Sequence, residues 1–242
     1  MARYGSADVG FLLLDGMDVL GATTSVDVGQ EAVLEETTVL GVADETHGPV
    51  GLKRGTLKQS GFFDDVANGA NAALVGLAQR VACLGIAGNI DGRKFVGWAG
   101  VILAKYARKP TRAELHKAEA EAQITGVVED GVVIHILATE SADPFTGTPY
   151  DNAASSANGG AGYLQVNALT LGGFTNIIFK VRHSVDNVTY ADLIVFATVT
   201  TSPLAERKAV AGTVNRYVRT EYDFTGAGAG QSARFMMGFV RT

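Results

Sequence analysis

The sequence has little cysteine, little proline and no long hydrophobic run. Its 242 residues include one cysteine and five prolines. A single Cys83 excludes an internal disulfide and fits a reducing compartment, and its apolar neighbours in "VACLGIAG" predict an inert core residue. The longest apolar stretch, 95–104, is half of what a membrane span requires, and the amino terminus lacks the pattern of a signal peptide. We therefore expect cytoplasmic synthesis and no membrane insertion.

Clusters of basic residues are also missing. The formal net charge is −5 at pH 7 and the pI is about 5.4. A surface that grips nucleic acid through its phosphates needs clustered Lys and Arg, so the charge pattern argues against this class of function. With 47% hydrophobic and 19% charged residues, the composition predicts a soluble, folded protein of one large or two ordinary domains.

Patterns of catalytic and metal-binding residues are absent too. The histidines are scattered, and none lies at the spacing that brings metal ligands together. There is no G-x-S-x-G elbow, and Cys83 has no obvious histidine partner. The "GAGAG" at 226–230 lies between two strand-like segments, which favours a hairpin connection over a phosphate-binding loop. We predict no catalytic residue, no cofactor and no metal site.

What the sequence does contain is strand-like. Thirty glycines, together with many Val and Thr, favour short strands and turns, and the predicted fold class is mainly β. One helix is predicted in "DDVANGANAALVGLAQ" (64–79). There Asp64 or Asp65 would cap the amino-terminal end, and Ala67, Ala70, Leu74 and Leu77 recur at helical spacing.

The stretch "KAEAEAQITGVVEDGVVIHIL" (117–137) fits a helix by composition and a strand by alternation. Its helix-forming residues alternate strictly between charged or polar and small apolar types, which predicts a strand with one wet and one packed face. The capping box "TRAE" at 111–114 leaves a brief helical turn open. We predict that the turn Glu129–Asp130–Gly131 closes a hairpin onto "VVIHIL".

The composition changes after Leu137. Residues 138–162 are rich in Ser, Asn, Gly and Ala, which predicts a linker or a long loop. The predicted organisation is therefore a first domain at 1–137, this linker, and a second β-sandwich domain at 163–242.

Three stretches carry a resemblance to a known family. "GLKRGTLKQSGFFDD" (51–65) and "KFVGWAGVILAKYARKPTRAELHKAEAEAQITGVVEDGVVIH" (94–135) resemble the tail tube (major tail) proteins of long-tailed bacteriophages. The segment 179–219 is similar to a β-sandwich module at the end of phage tail proteins, which is itself similar to galactose-binding-like sandwiches. The resemblance implies a two-sheet sandwich with one flanking helix for the first domain.

The same resemblance implies a structural role in the virion. Six copies would form a ring whose strands join into one closed sheet, and rings would stack through long loops into a hollow tail tube. The partners would be the chain itself and other tail proteins such as the tape measure, tail tip and terminator. DNA would transit the channel during genome ejection without specific binding, and assembly would occur in the host cytoplasm. No enzymatic activity is implied.

Within this reading, the wet face of 117–125 would line the channel. The lumen-facing candidates are Lys117, Glu119, Glu121, Gln123 and Thr125. A lining of Glu, Gln and Thr does not bind polyphosphate, because such binding needs cationic groups that release counterions. Four cations depart from that expectation, and they could instead face carboxylates of a neighbouring subunit: Lys53, Arg54, Lys58 and Lys117.

Two other functions are considered. A carbohydrate-binding β-sandwich module would stack sugars on the aromatic side chains of Tyr163, Phe179, Tyr190 and Tyr217, although these residues also suit a core. A hydrolase with acidic catalysts finds no support, since no isolated carboxylate lies in an apolar setting.

Overall fold

The computed structural model describes residues 8–36, 47–76 and 78–242, and for 32–36 and 47–54 it describes the backbone alone. Within these ranges the chain forms fifteen strands in two sheets, one short α-helix and a three-residue 3-10 helix (Leu20–Ala22), so the predicted mainly β fold class is confirmed. In chain order the elements are β1 (Phe11–Leu14), β2 (Met17–Asp18), β3 (Thr23–Glu36), β4 (His47–Phe62), α1 (Ala70–Leu74), β5 (Gln79–Gly85), β6 (Lys94–Lys109), β7 (Lys117–Glu140), β8 (Phe145–Thr146), β9 (Tyr150–Asp151), β10 (Gly160–Thr170), β11 (Asn176–Ser184), β12 (Ala191–Val195), β13 (Leu204–Val210), β14 (Tyr217–Thr225) and β15 (Ser232–Arg241).

The long strand β7 organises the larger, ten-stranded sheet. The order is β13-β10-β15-β7-β6-β5-β1-β2, and β4, with β3 beyond it, attaches beside β7. On one edge, β7 pairs with β6 over residues 117–132. On the other edge, residues 117–124 pair with β4 and residues 132–140 pair with β15. One edge of β7 therefore pairs with β4 in its first half and with β15 in its second half.

The smaller sheet packs on the carboxy-terminal part of the larger one. Its order is β12-β11-β14-β8, with β9 also paired to β14. The two sheets bury an apolar layer between them, in which the rings of Phe179, Tyr222 and Phe235 are in mutual contact. Alternate residues of each strand enter this layer, as expected for a sandwich of two sheets.

The larger sheet also curls onto itself. Three strands separate β10 from β5 in the sheet order, yet the Gln165 side chain of β10 donates a hydrogen bond to the Val81 carbonyl of β5 (3.1 Å) and accepts one from the Gly16 amide (2.6 Å). The closed space is filled by apolar side chains that include Phe11, Phe95 and Tyr163. Strands on both sides of the predicted domain boundary thus share one sheet and one core.

The predicted linker 138–162 contains regular structure in part. It holds the end of β7, the short strands β8 and β9, and the start of β10. The division into 1–137 and 163–242 stays a prediction. Across the described residues, no helix is long and apolar enough to cross a membrane.

The predicted helix is much shorter than the sequence pattern suggested. It spans Ala70–Leu74 and begins after Gly69, so the predicted caps Asp64 and Asp65 are wrong. The reason is local: the Asp64 carboxylate accepts a hydrogen bond from the Val66 amide (3.1 Å), and Asn68 lies in the left-handed region with φ of 60°. This tight turn occupies the first half of the pattern, while Leu77 lies outside the described residues.

The strand interpretation of 117–125 is confirmed, whereas the predicted hairpin is wrong. The strand continues from Lys117 to Glu140, with an irregularity at Gly126 (φ of 89°), and Glu129 lies opposite Gly97 and Gly131 opposite Phe95 of β6. Gly131 serves packing: a Cβ atom there would lie 2.4 Å from the Phe95 ring. Residues 111–114 form a turn, with Ala113 at a φ of 67°.

Candidate functional site

Four strand segments form a sheet extension that we call the blade. Its order is β3, β4, residues 117–124 of β7, and residues 103–109 of β6, and every pairing is antiparallel. One side of the blade is packed against α1 and the apolar cluster around Trp98. The other side, which we call the polar face, is open to solvent.

The predicted lumen candidates lie on β7 as the alternation requires. Ala118, Ala120 and Ala122 are buried on the packed side. Of the residues that alternate with these alanines, Lys117 and Gln123 are exposed, and Glu119, Glu121 and Thr125 are half-buried. The Thr125 hydroxyl oxygen is itself buried and has no hydrogen-bond partner among the described residues. Because the alanines are small, β7 can lie flat on the core while its polar side chains point away from it.

A row of alternating charges crosses the polar face. Asp27 of β3 is directly opposite Lys58 of β4, Lys58 is opposite Glu121 of β7, and Glu121 is opposite Lys105 of β6. Opposite charges in directly facing cross-strand positions are favourable. The row therefore begins with an acid on one edge of the blade and ends with a base on the other.

Glu119 is surrounded by lysines. Its carboxylate lies 2.5 Å from the Lys109 ammonium. The hydrogen bond from Lys109 lowers the pKa of Glu119, and the charges of Lys109, Lys105 and Lys117 lower it further, against a smaller opposing effect of burial. This carboxylate is ionised at neutral pH and is neutralised by its neighbours.

The described side chains of the polar face are balanced in charge. Four carboxylates and four ammonium groups of described side chains lie on it, so their formal sum is zero: Asp27, Glu31, Glu119 and Glu121 against Lys58, Lys105, Lys109 and Lys117. Sequence reasoning singled out the acids of β7 but missed Lys105 and Lys109. The two lysines are four residues apart, and residues at even spacing share one face of a strand. This spacing was the signal that could have identified them. The side chains of Lys53 and Arg54 lie outside the described residues.

Both outer edges of the blade are open. Within the described ranges, β3 pairs only with β4, and β6 pairs with β5 no further than Ile102, which leaves residues 103–109 with a single neighbour. Unpaired edges expose rows of amide and carbonyl groups that template pairing with another chain. The blade can therefore be extended at each side.

A second polar cluster, which sequence reasoning missed, lies beneath the large sheet. The buried Glu129 accepts two hydrogen bonds from Arg207 (2.7 and 2.6 Å) and one from the Tyr163 hydroxyl. Burial raises the pKa of Glu129, but the hydrogen bonds from Arg207 and Tyr163 and the Arg207 charge together bring it below its ordinary value. The carboxylate is thus ionised, and its hydrogen bonds to Arg207 and Tyr163 link β7 to β13 and β10. We call this arrangement a structural tie.

The aromatic residues considered for sugar binding are mostly buried. Tyr163 and Phe179 are fully buried, Tyr190 is 8% exposed, and only Tyr217 is half-exposed. The face of the Tyr190 ring is covered by the Arg219 guanidinium at 3.6 Å from the ring centre. These positions favour the core interpretation for Tyr163, Phe179 and Tyr190.

Cys83 is buried, as predicted for a core residue, and burial raises the pKa of its thiol far above the ordinary range. Among the residues that the structure describes, no group of three or more His, Cys, Asp or Glu side chains is placed to hold a metal ion.

No protein-family model matches the sequence, and no curated protein matches it. Solved structures show weak similarity, among them the following three. A chain from the virion of a native gene transfer agent particle is 11% identical, with a TM-score of 0.42 over 53% of this chain and 98% of that one. A chain from the tail of an empty gene transfer agent particle with C6 symmetry is 13% identical, with a TM-score of 0.41 over 52% and 97%.

The third structure is the SPP1 Dit (gp 19.1) protein, described as a paradigm of the hub adsorption apparatus in phages that infect Gram-positive bacteria. It is 10% identical, with a TM-score of 0.37 over 95% of this chain and 98% of that one. At these identities and TM-scores the similarities carry no argument about fold or function.

Proposed function

We propose that this chain is a structural virion protein of a phage tail that polymerises as rings into the tail tube. The observation that carries the proposal is the blade: four antiparallel segments with one packed face, one polar face and two open edges. Sequence resemblance to tail tube proteins in 51–65 and 94–135 covers β4, β6 and much of β7, which are three of its four strands.

The number of strands in the blade suits ring formation. Because it is even, β3 and the free part of β6 run in opposite directions. Copies related by rotation would then meet with β3 antiparallel to β6, and the ring would close without a change of strand direction. Closure removes both exposed edges, which are otherwise sites of aggregation.

The size of such a ring fits a DNA channel. Six copies, the number that the tail-tube resemblance implies, would hold about 24 strands in one closed sheet. With about 4.8 Å between strands and a tilt of about 40°, the circumference is about 150 Å and the diameter between backbones about 48 Å. A bore of this width admits a duplex after side chains fill part of it.

The polar face would form the channel wall, with the candidates Lys117, Glu119, Glu121 and Gln123 on it and Thr125 just beyond the end of the blade. Cationic groups bind DNA by releasing counterions from its phosphates. Among the described side chains of this face, four lysines are matched by four carboxylates. We propose that this internal neutralisation, more than a purely acidic wall, lets DNA pass without specific binding.

In this role the partners are other copies of the chain and further tail proteins such as the tape measure, tail tip and terminator. The site of action is the virion tail, with assembly in the host cytoplasm, and no catalysis is proposed.

Assembly of the purified chain tests the proposal. Analytical ultracentrifugation over a range of protein concentrations, with negative-stain electron microscopy of the same samples, should show rings or tubes with a central bore, formed slowly or only with an initiator protein. A folded chain that remains monomeric at high concentration, with and without the other tail proteins, would contradict the proposal.

A further inference from the structure

We propose a specific register for contact between copies: the free edge of β3 pairs with the free edge of β6 of the next copy, with Asp27 opposite Lys109 and Glu31 opposite Lys105. The inference rests on the proposed function, and it adds which edges meet, in which alignment, and what selects that alignment. The partner is a second copy of this chain.

Charge complementarity is the first observation. The β3 edge carries acids on the polar face, since Asp27 and Glu31 are exposed there. The β6 edge carries bases on the same face, at Lys105 and Lys109, which are also exposed. Spacing is the second observation: each pair of charges is four residues apart, so both pairs align in one antiparallel register.

The extent of the free edge selects this register over the neighbouring one. Placing Asp27 opposite Lys105 would put Glu31 opposite Val101, which is already paired with Arg80 of β5. Placing Asp27 opposite Lys109 keeps the contact within residues 103–109, which have no second neighbour among the described strands. It also sets Gly29 opposite Ala107, and these small residues leave room for the two flanking ion pairs.

The contact would continue the pattern inside the blade. Across the blade the charges already alternate from Asp27 through Lys58 and Glu121 to Lys105. In the proposed ring, Lys109 lies between Glu119 of its own chain and Asp27 of the next. The row from Asp27 to Lys105 would then continue onto Glu31 of the next copy, which adds one more acid after a base.

Charge reversal at each edge tests the register. The first variant is D27K/E31K, which makes both edges basic, and the second is K105E/K109E, which makes both edges acidic. Each alone should need about tenfold more protein than the wild type to sediment as rings or tubes, because like charges would face each other at every contact. An equimolar mixture of the two should recover assembly, since each foreign contact again joins an acidic edge to a basic one.

A matched control is D130K/D223K. It changes the net charge by the same amount as D27K/E31K, at exposed strand positions away from the free edges, and it should assemble like the wild type. Near-ultraviolet circular dichroism and thermal melting verify that every variant is folded.

The outcomes separate the two proposals. Failure of the wild type to assemble contradicts the proposed function, and the register falls with it. If the wild type assembles and D27K/E31K assembles equally well, or if folded variants do not recover on mixing, the register is wrong while the tail-tube proposal stands.

Discussion

Removing the Arg207 guanidinium should destabilise the protein strongly. In R207M the aliphatic part of the side chain is retained, but the Glu129 carboxylate, which is 9% exposed, loses the two hydrogen bonds and the charge that neutralise it. Removing one partner of a buried ion pair costs about 3 to 5 kcal/mol. Arg207 is itself 24% exposed, so we expect the low end, about 3 kcal/mol in the free energy of unfolding.

Replacing the other partner of the pair should lower the free energy of unfolding by less. E129Q keeps an oxygen that can accept the Tyr163 hydroxyl, and it leaves Arg207 with access to water. We expect a loss of about 1.5 kcal/mol, the value typical of a hydrogen bond to a charged group. The asymmetry between the two variants is itself a prediction, because it follows from the difference in exposure.

Urea denaturation followed by fluorescence of Trp98, together with thermal melting, measures both effects. For a chain of this size, a loss of about 3 kcal/mol corresponds to a decrease in Tm of roughly 6 to 12 °C. The matched control is R216M, which removes a pair of the same two-bond geometry, but at Arg216 and Asp151 on the exposed surface. If R207M lowers stability no more than R216M, the cluster is not the structural tie that its geometry indicates.

The same pair gives a prediction about pH. The pKa of Glu129 is lower in the folded chain than its ordinary value of 4.5. A lowered pKa contributes stability above the unfolded value, and this contribution disappears as the pH falls through the folded value. The stability difference between wild type and E129Q should therefore be constant near neutral pH and shrink below about pH 4.5. A difference that grows on acidification would contradict the assignment.

Three further predictions concern other parts of the chain. Replacing Glu119 and Glu121 by Lys should leave the protein folded but give assembled tubes a salt-dependent affinity for DNA in filter binding, and phage with this change should eject DNA slowly; unchanged DNA binding would place these side chains outside the bore. Cys83 should resist thiol reagents in the native state and react only on unfolding, as followed by mass spectrometry. A chain that ends at Leu137 should fail to show a cooperative melt, because β10 and β15 complete its core; a stable fragment would instead show that 1–137 folds alone.

Alternation predicted the part of the structure that depends on local pattern. The strand at 117–125 was predictable because charged residues and alanines repeat with a period of two, and the blade buries its alanines accordingly. The continuation of this strand through 129–131 was not, because acidic residues beside a glycine resemble a turn. Only the fold brings Arg207 to Glu129 across 78 residues of sequence and places Phe95 against Gly131.

The helix bounds were wrong and the lysines of β6 were overlooked for different reasons. Asp64 forms a local turn that competes with capping, which a periodicity pattern does not register. The lysines of β6 were visible in the sequence, but their meaning depended on the register that places Lys105 opposite Glu121 and Lys109 beside Glu119. The acids of β7 alone suggested a negative face, whereas the sheet pairing brings four lysines with described side chains onto the same face.

The charges at the two edges also decide which contacts between copies are disfavoured. A two-fold contact through β3 would be antiparallel and would satisfy the backbone, but it would bring acids of one copy against acids of the other. The same contact through β6 would oppose Lys105 and Lys109 to their own equivalents. Like charges directly opposite on neighbouring strands are unfavourable, so both closed dimers are selected against and β3 against β6 remains. In the proposed tail tube that contact is head to tail, so each added copy would leave one acidic and one basic edge free until the ring closes.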